Sequence, residues 1–263
     1  MDLHLTDKVA VVTGASKGIG LAVSRALAGE GACVVAGARG LAESLARGPD
    51  EVGQIHSLAV DLSTAEGPRR LVDEAVSIFG RLDILVNNVG AVRPRLDGFL
   101  SITDEDWNSA LTINVLAAVR TTRAALPHLL ERGRGTIVTI CSVNALLPDP
   151  LVMDYSAAKA ALLNFSKALS KEVGPRGIRV NTVSPGPVAT ALWLGADGVA
   201  ATVGRTTGSD PEAVARQAAA QMPTGRFTEP RDVADLVLLL ASERAGNVTG
   251  ADFVIDGGLV STL

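Results

Sequence analysis

Val9-Ala10-Val11-Val12-Thr13-Gly14-Ala15-Ser16-Lys17-Gly18-Ile19-Gly20 is a β-branched run that passes through a glycine-rich turn into a helix-forming stretch. The first five residues do not alternate apolar with polar, so they read as a strand covered on both faces, the habit of parallel sheets. Glycines in the turn let the backbone bend sharply and let a ligand approach with no Cβ in the way. They stand where a strand hands over to a helix whose first N–H groups lack partners, a place suited to a pyrophosphate. The spacing Gly-x-x-x-Gly-x-Gly departs from Gly-x-Gly-x-x-Gly, and a tight strand-to-helix turn also needs glycines. The rest of the chain decides between the two.

Working outward, short β-branched runs recur at 9–13, 33–38, 55–60, 84–86, 136–140, 179–183 and 253–255. Apolar spacing and start signals predict helices between them at 18–29, 65–79, 103–131, 152–173 and 230–242. Thr103 followed by Asp106 resembles a capping box at the head of the third. This alternation predicts an α/β fold, a doubly wound parallel sheet of about seven strands with helices on both faces. The 263 residues fit one domain, 1–263, around one core. Residues 191–224, rich in Ala, Gly and Thr, interrupt the alternation and are expected to form a substrate lid; the plainer reading is a surface excursion with one helix near 211–221.

Composition excludes several classes. Basic and acidic residues, 24 and 28, are interspersed without the basic stripe that a nucleic-acid backbone requires. Cys33 and Cys141 lie in apolar stretches and read as buried thiols, so a disulfide framework is not expected and a reducing compartment fits. The start lacks an apolar leader segment, and the late run 233–241 is far shorter than the roughly 20 residues of a membrane helix, so a soluble cytoplasmic protein is expected. His4, His56 and His128 show no metal-ligand spacing, and no metal is expected.

At the end of the second strand, where an acidic residue would bind a ribose 2′-OH, stand Ala38 and Arg39. A guanidinium there, with Lys17 in the glycine turn, favours a 2′-phosphate and so NADP(H), with NAD(H) as the alternative. The charges Glu43 and Arg47 nearby allow Arg39 to be an ordinary loop residue. Tyr155 and Lys159, four apart on one predicted helix, share a face. An ammonium beside a phenol favours the phenolate, which is the physical reason a tyrosine can serve as acid and base. Such a pair alone is usually a surface pair. Its company adds weight: Ser142 follows one strand, and Asn87, Asn88 and Gly90 follow another, on the carboxyl edge where such sheets bind ligands.

These stretches resemble the short-chain dehydrogenase/reductase family from Lys8 to about Gly258. Residues 13–20 match its cofactor loop through Gly14, Ser16, Lys17, Gly18, Ile19 and Gly20, and Asp61 with Leu62 matches the acidic site beside the adenine. Asn87-Asn88-Val89-Gly90 matches the stretch that steadies the sheet, with Val89 in place of the more usual alanine. Asn114, Ser142, Tyr155 and Lys159 match the catalytic tetrad, and Pro185, Gly186, Val188 and Thr190 the turn that holds the nicotinamide. The resemblance implies a Rossmann-like fold, an NADP(H)-dependent oxidoreductase acting on a carbonyl or secondary alcohol, and a homo-oligomer, dimer or tetramer. It implies that Ser142 hydrogen-bonds the substrate oxygen, that Tyr155 exchanges its proton, and that Lys159 binds the nicotinamide ribose. Asn114 would hold a water relay; an asparagine satisfying a distorted helical turn is the plainer reading.

Asn144, residues 147–153, Pro187, Trp193 and the lid are expected to touch substrate. Arg93 and Arg95 follow Gly90 near the rim, where they could attract an acidic substrate or simply be solvated. Two rival readings are a non-catalytic NADP(H)-binding redox regulator on the same fold, and an epimerase or dehydratase, which usually carries a longer C-terminal region.

Overall fold

A computed structural model describes residues 2–40 and 52–261; Glu43 and Arg47 lie outside the described residues. The first half alternates β1 (Val9–Thr13), α1 (Gly18–Gly29), β2 (Cys33–Ala38), β3 (Gln54–Ala59), α2 (Gly67–Phe79) and β4 (Ile84–Asn87). Then come α3 (Asp104–Leu111), a π-helical turn (Thr112–Leu116), α4 (Ala117–Glu131), β5 (Gly135–Ile140), α5 (Met153–Val173) and β6 (Ile178–Pro185). The chain finishes with α6 (Ala191–Leu194), α7 (Val199–Thr207), α8 (Pro211–Ala220), α9 (Pro230–Ala241) and β7 (Asp252–Ile255).

All seven strands pair in parallel in the order β3-β2-β1-β4-β5-β6-β7. The order reverses between β1 and β4, and a crevice opens beyond their carboxyl ends, where such sheets bind ligands. Pleating splits the strand side chains between two cores. Ala10, Val12, Val34, Ile84, Val138 and Val183 pack with Val23 and Leu27 of α1 and Val237 and Leu240 of α9. Val9, Val11, Val35, Leu85, Ile137 and Val180 pack on the other face with Leu71 of α2, Leu129 of α4 and Leu169 of α5. This double covering is why the strands read as unbroken apolar runs. The edge strands differ: β3, with His56 and Ser57, is only partly covered, and β7 exposes Val254.

The capping box forms, with Thr103 Oγ1 accepting from Asp106 N at 3.2 Å and Asp106 Oδ2 accepting from Thr103 N at 3.2 Å. The expected helix 103–131 is helical throughout from Asp104, with the π-helical turn shifting its hydrogen-bond register between α3 and α4. Residues 191–224 hold three helices where the plainer reading expected one, and α8 is that one. Cys141 is buried and Cys33 only half-buried, and both are free. Among the described residues no helix is long and apolar enough to cross a membrane.

Candidate active site

A cavity of about 1380 Å³ runs along the carboxyl edge of the sheet, from Arg39 and Asp61 at one end to Trp193 and Gln221 at the other. Its floor is laid by the turns that leave the strands. Thr13 Oγ1, at the end of β1, accepts from the backbone N–H groups of Asn88 and Val89 at 2.8 and 3.0 Å. Asn88 Nδ2 returns a bond to Thr13 O at 2.8 Å. The glycine turn is thereby tied to the end of β4. Gly14 has φ +67°, and a Cβ there would sit 2.9 Å from Val89 Cα, so both conformation and space demand glycine. Gly20 does not line the cavity; a Cβ on it would meet Asn88 Nδ2 at 2.4 Å, so its part is close packing.

Gly14, Ser16, Lys17, Gly18 and Ile19 line the cavity, together with Arg39, Asp61, Leu62, Asn88 and Gly90. Among the described residues, no side chain caps the first turn of α1 and no acidic residue lies in it, so its N–H groups and the positive end of its dipole face the cavity unpartnered. Lys17 and Arg39 are both exposed beside it. Hydrogen bonds from the backbone and hydroxyl of Ser63, at 2.9 and 2.7 Å, hold the Asp61 carboxyl below its usual range, and the Arg39 charge adds to this. An uncapped helix start flanked by two cations fits the phosphates of a dinucleotide.

Midway along the cavity stand Ser142, Tyr155 and Lys159. Ser142 follows β5; its Oγ donates to Asn144 Oδ1 at 3.1 Å and accepts from Asn144 N at 3.2 Å. One turn apart on α5, Tyr155 is half-buried and Lys159 buried, and Lys159 Nζ lies 5.6 Å from the centre of the Tyr155 ring. Lys159 Nζ also donates to Ile140 O at 2.9 Å, which fixes it at the end of β5. A Cβ on Gly90 would lie 2.8 Å from Asn114 Oδ1 and 3.5 Å from Lys159 Nζ, so glycine is what lets these two side chains approach. Cys141, beside Ser142, is a bystander: burial pushes its thiol up to about 12.

Asn114 stands behind the lining, in the π-helical turn. Its Nδ2 donates to Ala91 O and Ala110 O at 2.9 and 3.0 Å, and its Oδ1 accepts from Ala91 N at 3.1 Å. The side chain thus satisfies the distorted helix and ties it to the loop after β4. Pro185, Gly186, Pro187, Val188 and Thr190 form the next stretch of wall. Bonds from Ala189 N to Thr228 O (2.9 Å) and Thr228 N to Pro187 O (3.0 Å) hold that turn.

Trp193 lines the far end, braced by Phe227 with ring centroids 5.4 Å apart, and Asn144 faces the same space. Val203 of α7 and Val214, Gln217 and Gln221 from and after α8 bring the segment 191–224 into this lining, whereas reasoning from sequence missed Asn108, Ser109 and Thr112 from α3 and its extension. The only available signal was the polar pair Asn108 and Thr112 one turn apart. Arg93 lines the cavity and is exposed, 3.8 Å from Asp106. Arg95 does not line it; its guanidinium is engaged by Asp106 and Asp154, so it is neither the rim cation nor the solvated loop residue that the sequence allowed.

Comparison with known proteins gives the same picture. A family model described as enoyl-(acyl carrier protein) reductase matches residues 14–260. The chain is 32% identical to the 3-oxoacyl-(acyl-carrier-protein) reductase FabG of Thermotoga maritima, over 98% of this chain and 100% of that protein. It is 35% identical to human dehydrogenase/reductase SDR family member 4, over 98% and 90%. Among solved structures, L-sorbose reductase from Gluconobacter frateurii, complexed with NADPH and L-sorbose, superposes with a TM-score of 0.92 at 35% identity, covering 100% of both chains. A match that takes in the sheet, the glycine turn and the far wall alike places this chain in the short-chain dehydrogenase/reductase family of oxidoreductases.

Proposed function

We propose that the protein is an NADP(H)-dependent oxidoreductase that interconverts a carbonyl and a secondary alcohol, with Tyr155 as acid and base. The observation that carries this reading is one continuous cavity with Lys17, Arg39 and an uncapped α1 start at one end and the pair Tyr155 and Lys159 at its middle. NADP(H), when bound, supplies or accepts the hydride at the substrate carbon. Arg39 and Lys17 would hold a 2′-phosphate, and the first N–H groups of α1 the pyrophosphate. Pro185, Gly186, Val188 and Thr190 would bound the nicotinamide.

In the reductive direction Ser142 Oγ turns from Asn144 to hydrogen-bond the substrate oxygen. As the carbon gains hydride, Tyr155 Oη gives its proton to that oxygen, and the Lys159 ammonium stabilises the phenolate left behind. Oxidation reverses each transfer. Asn114 Oδ1, one lone pair of which is taken by Ala91 N, would use the other to hold a water that returns the proton. Asn144, Pro187 and Trp193 would contact the substrate, and residues 191–224 close over it as a lid within one domain. The exposed Ala157, Ala160 and Ala161 on α5 offer a flat face for a second copy, consistent with a cytoplasmic dimer or tetramer.

The test is fluorescence titration with NADPH and NADH, followed by nicotinamide absorbance on a panel of ketones, oxoacyl thioesters and alcohols. Tighter NADPH binding and turnover of one compound are expected. Cofactor binding with no turnover across the panel would favour the regulator, and equal affinity for both cofactors would remove Arg39 from the 2′-phosphate.

A further inference from the structure

The loop after β4 lines the cavity through residues 91–94 and then turns inward at Arg95. Arg95 Nε and Nη2 donate to Asp154 Oδ2 at 3.1 and 2.6 Å, and Nη1 donates to Asp106 Oδ1 at 2.8 Å. The side chains of Arg95 and Asp154 are 12% and 3% exposed, so this pair is shielded from water. Arg95 N also donates to Leu151 O at 2.7 Å, in the stretch that enters α5.

Each carboxylate has a second task. Asp154 Oδ1 accepts from the backbone N–H of Tyr155 at 2.9 Å, in the first turn of α5. Asp106 Oδ2 closes the capping box of α3, the helix that leads to Asn114. One rigid guanidinium therefore joins the cavity loop, the start of the helix bearing Tyr155 and Lys159, and the start of the helix leading to Asn114. Its planar fork fixes direction as well as charge, which a lysine ammonium cannot do.

We propose that Arg95 is a positioning residue for Tyr155, holding the first turn of α5 through Asp154 so that the phenol meets the substrate oxygen. This rests on the reading of Tyr155 as acid and base. Displacement by about 1 Å from a productive geometry costs on the order of 100-fold in rate, so a small movement of this turn suffices to be seen.

Tyr155 is the only tyrosine in the chain, so the full-length protein grown with 3-fluorotyrosine gives a ¹⁹F signal from this ring alone. Wild type, Arg95→Lys, Arg95→Gln, Asp154→Asn, the Arg95→Gln/Asp154→Asn double variant and the surface control Arg69→Gln are compared. Read together are the ¹⁹F line, NADPH affinity, and kcat and KM per NADPH-binding site for the panel compound turned over fastest. The expected result is a shifted or broadened line and a kcat lowered at least about 10-fold in Arg95→Gln and Asp154→Asn, with NADPH affinity and KM within about threefold. The double variant should be no worse than the poorer single, because the two act as a unit. Arg95→Lys should fall between, and Arg69→Gln should match wild type.

A ¹⁹F line and a kcat per site unchanged in both Arg95 variants, with only thermal stability lowered, would overturn the proposal. So would losses that multiply in the double variant. If Arg95→Gln does not fold, Arg95→Lys, which keeps the charge, decides by the same readouts. If the wild type turns over no panel compound, the acid/base reading of Tyr155 fails, while the ¹⁹F comparison still decides whether Arg95 places the ring.

Discussion

At the Arg39 and Asp61 end of the cavity the walls are strand termini and the turns that leave them, whereas at the Trp193 and Gln221 end they are short helices on the chain between β6 and α9, with Asn108, Ser109 and Thr112 of α3 and its extension. The strand end is fixed by ladder register and by bonds such as those of Thr13 and Asn88, which cross from β1 to β4. The helical end is held more lightly. Helices α6 and α8 contain no buried residue, and the segment is anchored by the small residues Ala200, Ala201 and Gly204 of α7, by Trp193 on Phe227, by Met222, and by the bond from Thr224 N to Gly257 O at 3.1 Å. One sheet edge thus carries a rigid half suited to an unvarying ligand and a looser half that can be reshaped for a particular substrate. Tyr155 and Lys159 stand where the halves meet.

The sharpest way to break this division is at the junction. Lys159→Met should lower kcat by about 10²-fold or more, the usual range for losing acid–base assistance, and steady-state kinetics with NADPH will show it. At the strand end, Arg39→Ala should weaken NADPH relative to NADH by about 1.5–3 kcal/mol, read by parallel titrations. Equal losses for both cofactors would leave the strand end without its assigned selectivity.

Behind that end, Asp83 tests the frame. Burial alone would raise its pKa, but hydrogen bonds from Arg81 and Val9 N, with the charges of Arg81 and Arg132, outweigh it and hold the carboxyl below the ordinary 3.8. A depressed native value means that this stabilisation is fully present above the unfolded value and is lost as pH falls through the folded one. Asp83→Asn should therefore cost stability at pH 7, by an amount on the order of 1.5–3 kcal/mol, and the gap to wild type should close as the pH falls below the ordinary carboxylate range and through the lowered folded value. Thermal melts at several pH values test this, and a gap that persists in acid would remove the charge from the account. The smallest effect is expected at the helical end: Gln217→Ala should change KM by less than about tenfold, under about 1.4 kcal/mol, and leave NADPH affinity unchanged. A loss of NADPH affinity there would contradict the separation of the two halves.

The same division governs what the sequence discloses. Strand-end features have signals close in sequence: β-branched runs, and Gly14 in the turn after β1, where a Cβ would strike Val89. The π-helical turn at Thr112–Leu116 had one sign in the sequence, Asn114, whose plainer reading was an asparagine satisfying a distorted turn, and its bond to Ala110 O is that arrangement. Helices α6 and α7 were missed because they are short and rich in Ala, Gly and Thr, with little amphipathic signal. Arg95 was read at the rim because its partners lie 11 and 59 residues away, a distance that no local pattern spans. Asn108 and Gln217 come together only through tertiary packing.

The central claim, that Tyr155 transfers the proton in a carbonyl–alcohol interconversion, is tested most directly by Tyr155→Phe, which removes one hydroxyl from a half-buried ring. Fluorescence titration should give the wild-type NADPH affinity, while turnover of the panel compound falls by about 10²-fold or more. Turnover within a few-fold of wild type, with NADPH still bound, would contradict the account and take Tyr155 out of the chemistry.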